Sequence, residues 1–212
     1  NYRIMKFHLI VAVCKNNGIG INGNLPWRIK EDLAYFSKLT KGKGNGNNAV
    51  VMGRNTYDSL PKHYLDKRDN FIISSTLFMD EETSGGEKIK TFKTIIELIN
   101  YLQDISVNFN FDSKKYDDIW IIGGSSIYDQ FIEMGLIDKC YITYINKEYS
   151  CDTFFNHLTI FDNLNTKQNN TKQNNTNQNN TDNNNWTLSN KETIITKNNI
   201  KLDFMEFINK NL

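Results

Sequence analysis

The order of apolar and polar positions along the chain predicts an alternation of short strands and helices. FHLIVAVC, Phe7–Cys14, is a near-continuous apolar run rich in valine and isoleucine. A run this short reads as a buried strand and falls well below the length of a membrane span. Comparable runs predict strands near 48–52, 70–75, 89–92, 118–122, 138–146, 187–196 and 201–208. Helical spacing of the apolar positions predicts helices near 30–40, 54–60, 94–103 and 125–134. Strand–helix–strand alternation implies an α/β chain with a mostly parallel sheet and helices on both faces. The last two strands depart from that rhythm. WTLSNKETIIT and IKLDFMEFI flank KNN, which predicts an antiparallel hairpin with Asn at its turn.

One stretch follows neither period. NTKQNNTKQNNTNQNNTDNNN, residues 165–185, repeats a five-residue unit with no hydrophobic side chain. It cannot bury a core, so a disordered or mobile insertion is expected. Apolar strands resume after it, so the expectation is one domain, 1–212, interrupted by the tract. Its N-x-T triplets, such as 169–171, read as composition rather than glycosylation sites. KGKGNGN, residues 41–47, reads as a smaller flexible loop.

Composition narrows the function classes. The 212 residues suit one domain with a full core, and a net charge of +1 points to neither nucleic acid nor an anionic membrane. The three cysteines and three histidines lack metal-ligand spacing, so no metal is expected. An odd cysteine count with no secretory leader read before Phe7 implies reduced thiols and a cytoplasmic setting.

Four segments carry candidate chemistry. GIGING matches G-x-G-x-x-G at Gly18, Gly20 and Gly23, but NLPW follows, and Pro26 pushes Leu25 toward an extended backbone. The helix starts only near Ile29 or Lys30. The classical dinucleotide turn, which opens directly into a helix, therefore fails here. A glycine-hinged loop closing over a ligand fits better. In VVMGRNTYDSLP, residues 50–61, a strand meets Gly53 and a helix opens with Arg54, Asn55 and Thr56. Free N–H groups at such a start suit a phosphate, with Arg54 adding a bidentate cation; an ordinary strand–turn–helix reads equally from this segment alone. IWIIGGSSIYDQF, residues 119–131, offers a second such start at Gly124, Ser125 and Ser126, or a tight packing turn. Two phosphate-suited starts in one α/β chain favour a dinucleotide. In YITYINKEYSCDTFF, Thr143 is either a hydroxyl near a site or a residue of good strand propensity. Asp32 shares a helix side with Ile29 and Phe36. It is either a first-turn acid complementing the helix dipole or a carboxylate aimed into a pocket.

Taken together, GIGINGNLPW, EDLAYF, VVMGRNTYDSLP, WIIGGSSIY and CDTFF resemble the dihydrofolate reductase family in order and approximate spacing. The resemblance covers about residues 7–162 and 186–209. It implies an eight-stranded, mostly parallel sheet with an antiparallel C-terminal hairpin and about four flanking helices. The implied reaction is reduction of 7,8-dihydrofolate to tetrahydrofolate by NADPH, in support of one-carbon metabolism and thymidylate synthesis, with antifolates as further ligands. Asp32, the fifth residue after Trp27, falls at the family's pocket carboxylate, with the Asp-type spacing of bacterial and many protozoal members. Thr143 matches the hydroxyl that supports it, and Leu25 and Trp27 belong to the same catalytic set.

The resemblance places Ile10, Val11, Ala12 and Phe36 at the pterin, with Ile10 and Ile122 offering carbonyls. It places Leu33, Leu60 and Leu65 at the aminobenzoyl part and Arg68 at the glutamate α-carboxylate, although HYLDKRDN lacks the usual proline and glycine before that Arg. On the cofactor side it implies Ala12, Ile19, Gly20, Gly23 and Asn24 from the first loop. Gly53, Arg54, Asn55, Thr56 and Ser59 come from the second motif. Ser74 and Ser75 join Arg54 at the adenosine 2′-phosphate. Ile122, Gly123, Gly124, Ser125, Ser126, Ile127 and Tyr128 complete the set, with Tyr128 near the nicotinamide and Gly123–Gly124 a cis peptide. Asp152 matches an acid that contacts the glycine-hinged loop. The implied state is a monomer, unless the reductase is part of a fusion with thymidylate synthase.

Overall fold

The computed structural model of the chain describes residues 5–43, 47–107, 116–164 and 185–212. All but the last residue of the Asn-rich tract expected over 165–185 lies outside them. Strand β1 (Phe7–Cys14) is followed by the short β2 (Gly18–Gly20) and helix α1 (Lys30–Lys41). Next come β3 (Ala49–Gly53), α2 (Arg54–Ser59), β4 (Asp69–Ile73), β5 (Asp80–Glu82) and β6 (Lys88–Phe92). Helix α3 (Ile95–Val107), β7 (Ile119–Ile121), α4 (Ser125–Glu133), β8 (Lys139–Ile145) and β9 (Thr153–Phe154) follow. A 3-10 turn (Leu158–Leu164) precedes the hairpin of β10 (Trp186–Ile195) and β11 (Lys201–Asn209).

Nine of these strands form one sheet, in the order β10-β11-β8-β1-β7-β3-β4-β6-β5. The six strands from β8 to β6 run parallel, whereas β11 and β10 at one edge and β5 at the other pair antiparallel. All eight expected strands and four expected helices are present, and Asn199 takes a positive φ of 57° in the hairpin turn. The extra sheet strand, β5, reads DEE and is fully exposed. An edge strand needs no apolar face, so the alternation that marks the others has no reason to appear in it.

The period of two along β1 sorts its side chains onto two faces. Phe7, Leu9, Val11 and Val13 join Leu98 and Leu102 of α3 and Ile127 and Phe131 of α4 in one large core. Each such fully buried side chain contributes about 1.5–3 kcal/mol. The opposite face, under α1, holds two separate apolar clusters. One contains Ile10, Val50 and Trp120 with Phe36 and Leu39 of α1; the other contains Cys14, Trp27, Ile29 and Ile145. Asp32 and Thr143 belong to neither cluster although both are buried. The parallel register sets Ala12 beside Thr143, which brings a small side chain and a hydroxyl to this part of the face.

Candidate active site

The extended backbone of Ile29 (φ −108°, ψ 112°) delays α1 until Lys30, and the Leu33 N–H then bonds the Ile29 carbonyl at 3.2 Å. Glu31 and Asp32 both fall in the first turn, but Glu31 is half-buried and Asp32 is 6% exposed. Burial pushes the Asp32 carboxyl up to about 6, while the Thr143 hydroxyl and Trp27 indole bear on it as donors and pull the other way. The Trp27 N–H is near enough to favour the charged carboxylate, yet it completes no hydrogen bond of ordinary geometry. No described cation pairs with Asp32.

Asp32 lines a cavity of about 1410 Å³ that follows the C-terminal ends of the parallel strands, touching Ala12, Gly53, Ile73 and Ile122. Ligands of open α/β sheets bind at such strand ends. Every site residue expected from the sequence lines this cavity except Gly123. Gly123 stands behind the turn instead. Its carbonyl accepts the Gly53 N–H at 2.8 Å, and a Cβ on it would meet the Tyr128 ring at 2.8 Å. Its φ of 100° is a further reason for glycine there, and the Gly123–Gly124 peptide is cis. The Gly53–Gly123 bond joins the starts of α2 and α4. Gly124 lies across from Thr56, and a Cβ on Gly124 would meet only the Thr56 Oγ1, at 3.6 Å. The N–H groups of Ser125 and Ser126 have no acceptor among the described residues, as the first turn of a helix leaves them. Tyr128, fully inside, donates to the Ile10 carbonyl at 2.8 Å and leaves that oxygen one further lone pair.

Three arginines line the cavity, Arg28, Arg54 and Arg68, and the last two were expected there from the sequence. Arg68 is 3% exposed; its Nε donates to the Asp66 carbonyl at 3.1 Å and its Nη1 to Thr40 Oγ1. Burial pushes the guanidinium down to about 10, against the pull of Asp66 and Glu87. No described carboxylate lies within ion-pair distance of it. The missing proline and glycine before this Arg have a structural counterpart. Lys67 takes φ 62°, its N–H held by Glu87 at 2.7 Å, and buried Asn70 binds the backbone of Leu65 and Arg68. Arg54 is exposed, and its Nε donates to both oxygens of Asp58 at 2.9 and 3.2 Å.

The first glycine loop folds back on itself. Ile21 and Asn24 exchange hydrogen bonds at 2.9 Å around Asn22 and Gly23, both at positive φ, as a primed hairpin turn requires. The loop is tied to β9: Asp152 accepts the Asn22 N–H at 2.7 Å and donates its own N–H to Gly20 at 3.0 Å. The Asn22 bond holds the Asp152 carboxyl below its ordinary value.

The sequence reasoning missed Arg28, Ser37, Pro61, Ile73, Thr76, Lys93, Thr94, Gln130 and Thr153 among the lining residues. Lys93 and Thr94 had a usable signal. They follow strand β6 and precede α3, the same strand-end and helix-start position that singled out Arg54 and Ser125. Among the described residues no cluster of His, Cys, Asp and Glu could hold a metal ion, and no helix is long and apolar enough to cross a membrane.

Residues 6–188 match the family model described as Dihydrofolate reductase. The dihydrofolate reductase of Drosophila melanogaster is 38% identical over 156 residues, which is 72% of this chain and 80% of that protein. The enzyme of the same name from Heliothis virescens is 36% identical over 157 residues, 73% of this chain and 80% of its own length. A bifunctional dihydrofolate reductase-thymidylate synthase of Acanthamoeba polyphaga mimivirus is 32% identical over 157 residues, 69% of this chain and 26% of that longer protein.

Proposed function

The chain belongs to the dihydrofolate reductase family and reduces dihydrofolate to tetrahydrofolate, and from that premise we propose that NADPH is the reductant and Asp32 the group that orients the pterin. The observation that carries the reading is a buried carboxylate on the cavity wall with no described cation beside it. The pterin edge presents two adjacent donors, the 2-amino group and N3–H. A carboxylate accepts both in parallel, as it does from an arginine. Those donors favour the charged form, so substrate offsets part of the penalty that burial puts on Asp32.

Bound NADPH supplies the hydride to C6, and N5 must gain a proton. Asp32 holds the ring and promotes protonation by water rather than donating directly. Thr143 and Trp27 keep the carboxylate charged at neutral pH against its burial. Arg68 takes the glutamate α-carboxylate of the substrate, supported by its burial without a described counter-ion. The donor set fits the cofactor. Arg54 and Lys93 supply cations, and Ser125 and Ser126 supply free N–H groups, with Gly124 leaving the backbone open. The Ser74 hydroxyl accepts the N–H groups of Thr76 and Leu77 at 3.3 and 3.1 Å and meets Thr76 Oγ1 at 3.5 Å, which sets two hydroxyls side by side at this end of the cavity.

The test follows NADPH oxidation with dihydrofolate for the wild type and Asp32→Asn. Dihydrofolate-dependent oxidation is expected, with turnover of Asp32→Asn lower by about a thousandfold near neutral pH. Absence of NADPH oxidation in the wild type would remove NADPH from the reading. Near-normal turnover in Asp32→Asn would remove the role given to Asp32.

A further inference from the structure

Two of the three thiols meet at the base of the loop that borders the cavity. Cys14 ends β1 and is fully buried; Cys151 stands two residues before β9 and is half-buried. Their sulfurs are 3.8 Å apart across 137 residues of chain. The Cys14 thiol donates to Asn16 Oδ1 at 2.8 Å, so Cys151 is the donor at the sulfur–sulfur contact. Asn16 donates in turn to the Tyr149 carbonyl at 3.0 Å and holds the end of β1 against the segment that carries Cys151. Gly18 covers the pair. A Cβ there would overlap Cys151 Sγ and stand 3.1 Å from Cys14 Sγ, so only glycine lets both sulfurs occupy this spot. Neither cysteine lines the cavity, and neither has a part in the chemistry above. The third thiol, Cys140, is buried in the large core on the other face of the sheet.

We propose that Cys14 and Cys151 form a reversible disulfide that fixes the 18–24 loop and slows turnover. A disulfide spans about 2.05 Å between sulfurs, so the pair closes by less than about 2 Å. Cys14 is anchored in the core, so the movement falls on Cys151 and its neighbour. Asp152 holds both the Asn22 N–H and the Gly20 carbonyl, and any shift of Cys151 therefore reaches both strands of the loop hairpin. That loop brings Ile19, Gly20, Gly23, Asn24 and Leu25 to the cavity wall. Loops that must open for exchange of ligands set the turnover of many enzymes. The effect on turnover rests on the reading of this loop as a lid; formation of the bond does not.

The oxidant is a low-molecular-weight disulfide. Cys151, more accessible, loses its proton and attacks one sulfur of the oxidant. The oxidant's S–S bond breaks, and one thiol leaves with a proton. Cys14 then attacks the Cys151 sulfur and expels the second thiol, also protonated. Two electrons pass from the cysteine pair to the oxidant, and no further reactant is needed. Burial and the adjacent Cys14 push the Cys151 thiol up to about 11, so the exchange is slow at neutral pH and quickens as pH rises.

The experiment incubates the full chain with oxidised glutathione, counts free thiols after denaturation and maps linked peptides by mass spectrometry. Free thiols are expected to fall from three to one, with Cys14 linked to Cys151, and turnover to fall by about tenfold. Dithiothreitol should restore both. Cys151→Ser should keep basal turnover and resist the oxidant, as should Cys151→Ala if serine is poorly tolerated. Cys140→Ser should respond like wild type. Three persisting thiols, a stable mixed disulfide without the bridge, a bond to Cys140 or to a second chain, or a bridge with unchanged turnover would each overturn the proposal. Thiol counting and mapping need no catalysis, and the reduced protein is assayed separately with NADPH and dihydrofolate. A failed bridge is thus distinguishable from a failed reductase reading.

Discussion

Arg68 and Arg54 both line the cavity, but they stand in opposite relations to water. Arg68 has already lost its solvent shell; its described hydrogen-bond acceptors are neutral oxygens, Thr40 Oγ1 and the Asp66 carbonyl, and its guanidinium lies over the Phe36 ring at 6.0 Å. A ligand carboxylate there restores what burial removed, and salt screens the contact little. Arg54 is solvated and bonded to Asp58 one turn along α2. An exposed i,i+4 pair of this kind contributes only about 0.3–0.5 kcal/mol, so a phosphate displaces Asp58 at small cost but gains little that salt cannot screen. One cation is held ready for a ligand by its surroundings; the other is merely available. Asp32 belongs with Arg68, buried and without a described counter-ion.

The largest expected difference between the two arginines is in substrate binding. Arg68→Gln should raise KM for dihydrofolate by about a hundredfold, in line with about 3 kcal/mol for a buried charge pair. Turnover at saturation should change much less. Equal losses from Arg68→Gln and Arg54→Gln would break the comparison.

Stability tests the buried group on the anionic side. The Asp32 carboxyl is raised from an ordinary 3.8 to about 6 in the folded chain. Between those values the folded state holds a proton that the unfolded state has released. The stabilising effect of that proton is complete below about 3.8 and is lost as pH rises through about 6. Above that window the charged group costs the apoprotein about 3 kcal/mol. Thermal melts should therefore show Asp32→Asn more stable than wild type at pH 7.5, with the gap closing by about pH 4. Parallel melting profiles across that range would show that Asp32 is not strained by burial.

The exposed arginine should give a smaller and salt-dependent result. Arg54→Gln is expected to raise KM for NADPH by about tenfold at low ionic strength, and by less at high salt. A loss that salt does not change would mean that Arg54 becomes buried with its ligand. Smallest of all, Asp58→Asn should lower KM for NADPH by about two- to threefold by freeing Arg54. A rise in that KM would show that Asp58 positions Arg54 rather than competing for it.

How far the sequence could be read varied with the range of the interaction. The eight strands and four helices follow local periods of two and 3.6, and these appear wherever an element buries one face. The turn at Asn22 and Gly23, the delayed start of α1 after Pro26 and the two glycine-marked helix starts are likewise short-range chemistry. Strand β5 was invisible because an exposed edge has no face to mark. Asn70 could not be read as the brace of the Arg68 loop, because an Asn beside an apolar run looks like any strand boundary. Lys93 was legible in principle and was missed because its junction carries no glycine.

The sequence by itself determined the period of each element, the places where helices begin and the side of α1 on which Asp32 stands. These depend on bond geometry and on neighbours within a turn or a strand. Tertiary structure alone decided that Asp32 and Arg68 are buried without a described counter-ion, that Gly123 braces Gly53, and that Cys14 meets Cys151. Those outcomes depend on the sheet order, which sets β8 and β7 on either side of β1. Residues brought together across such distances share no local pattern. Their charge states and contacts arise only when packing removes water from around them.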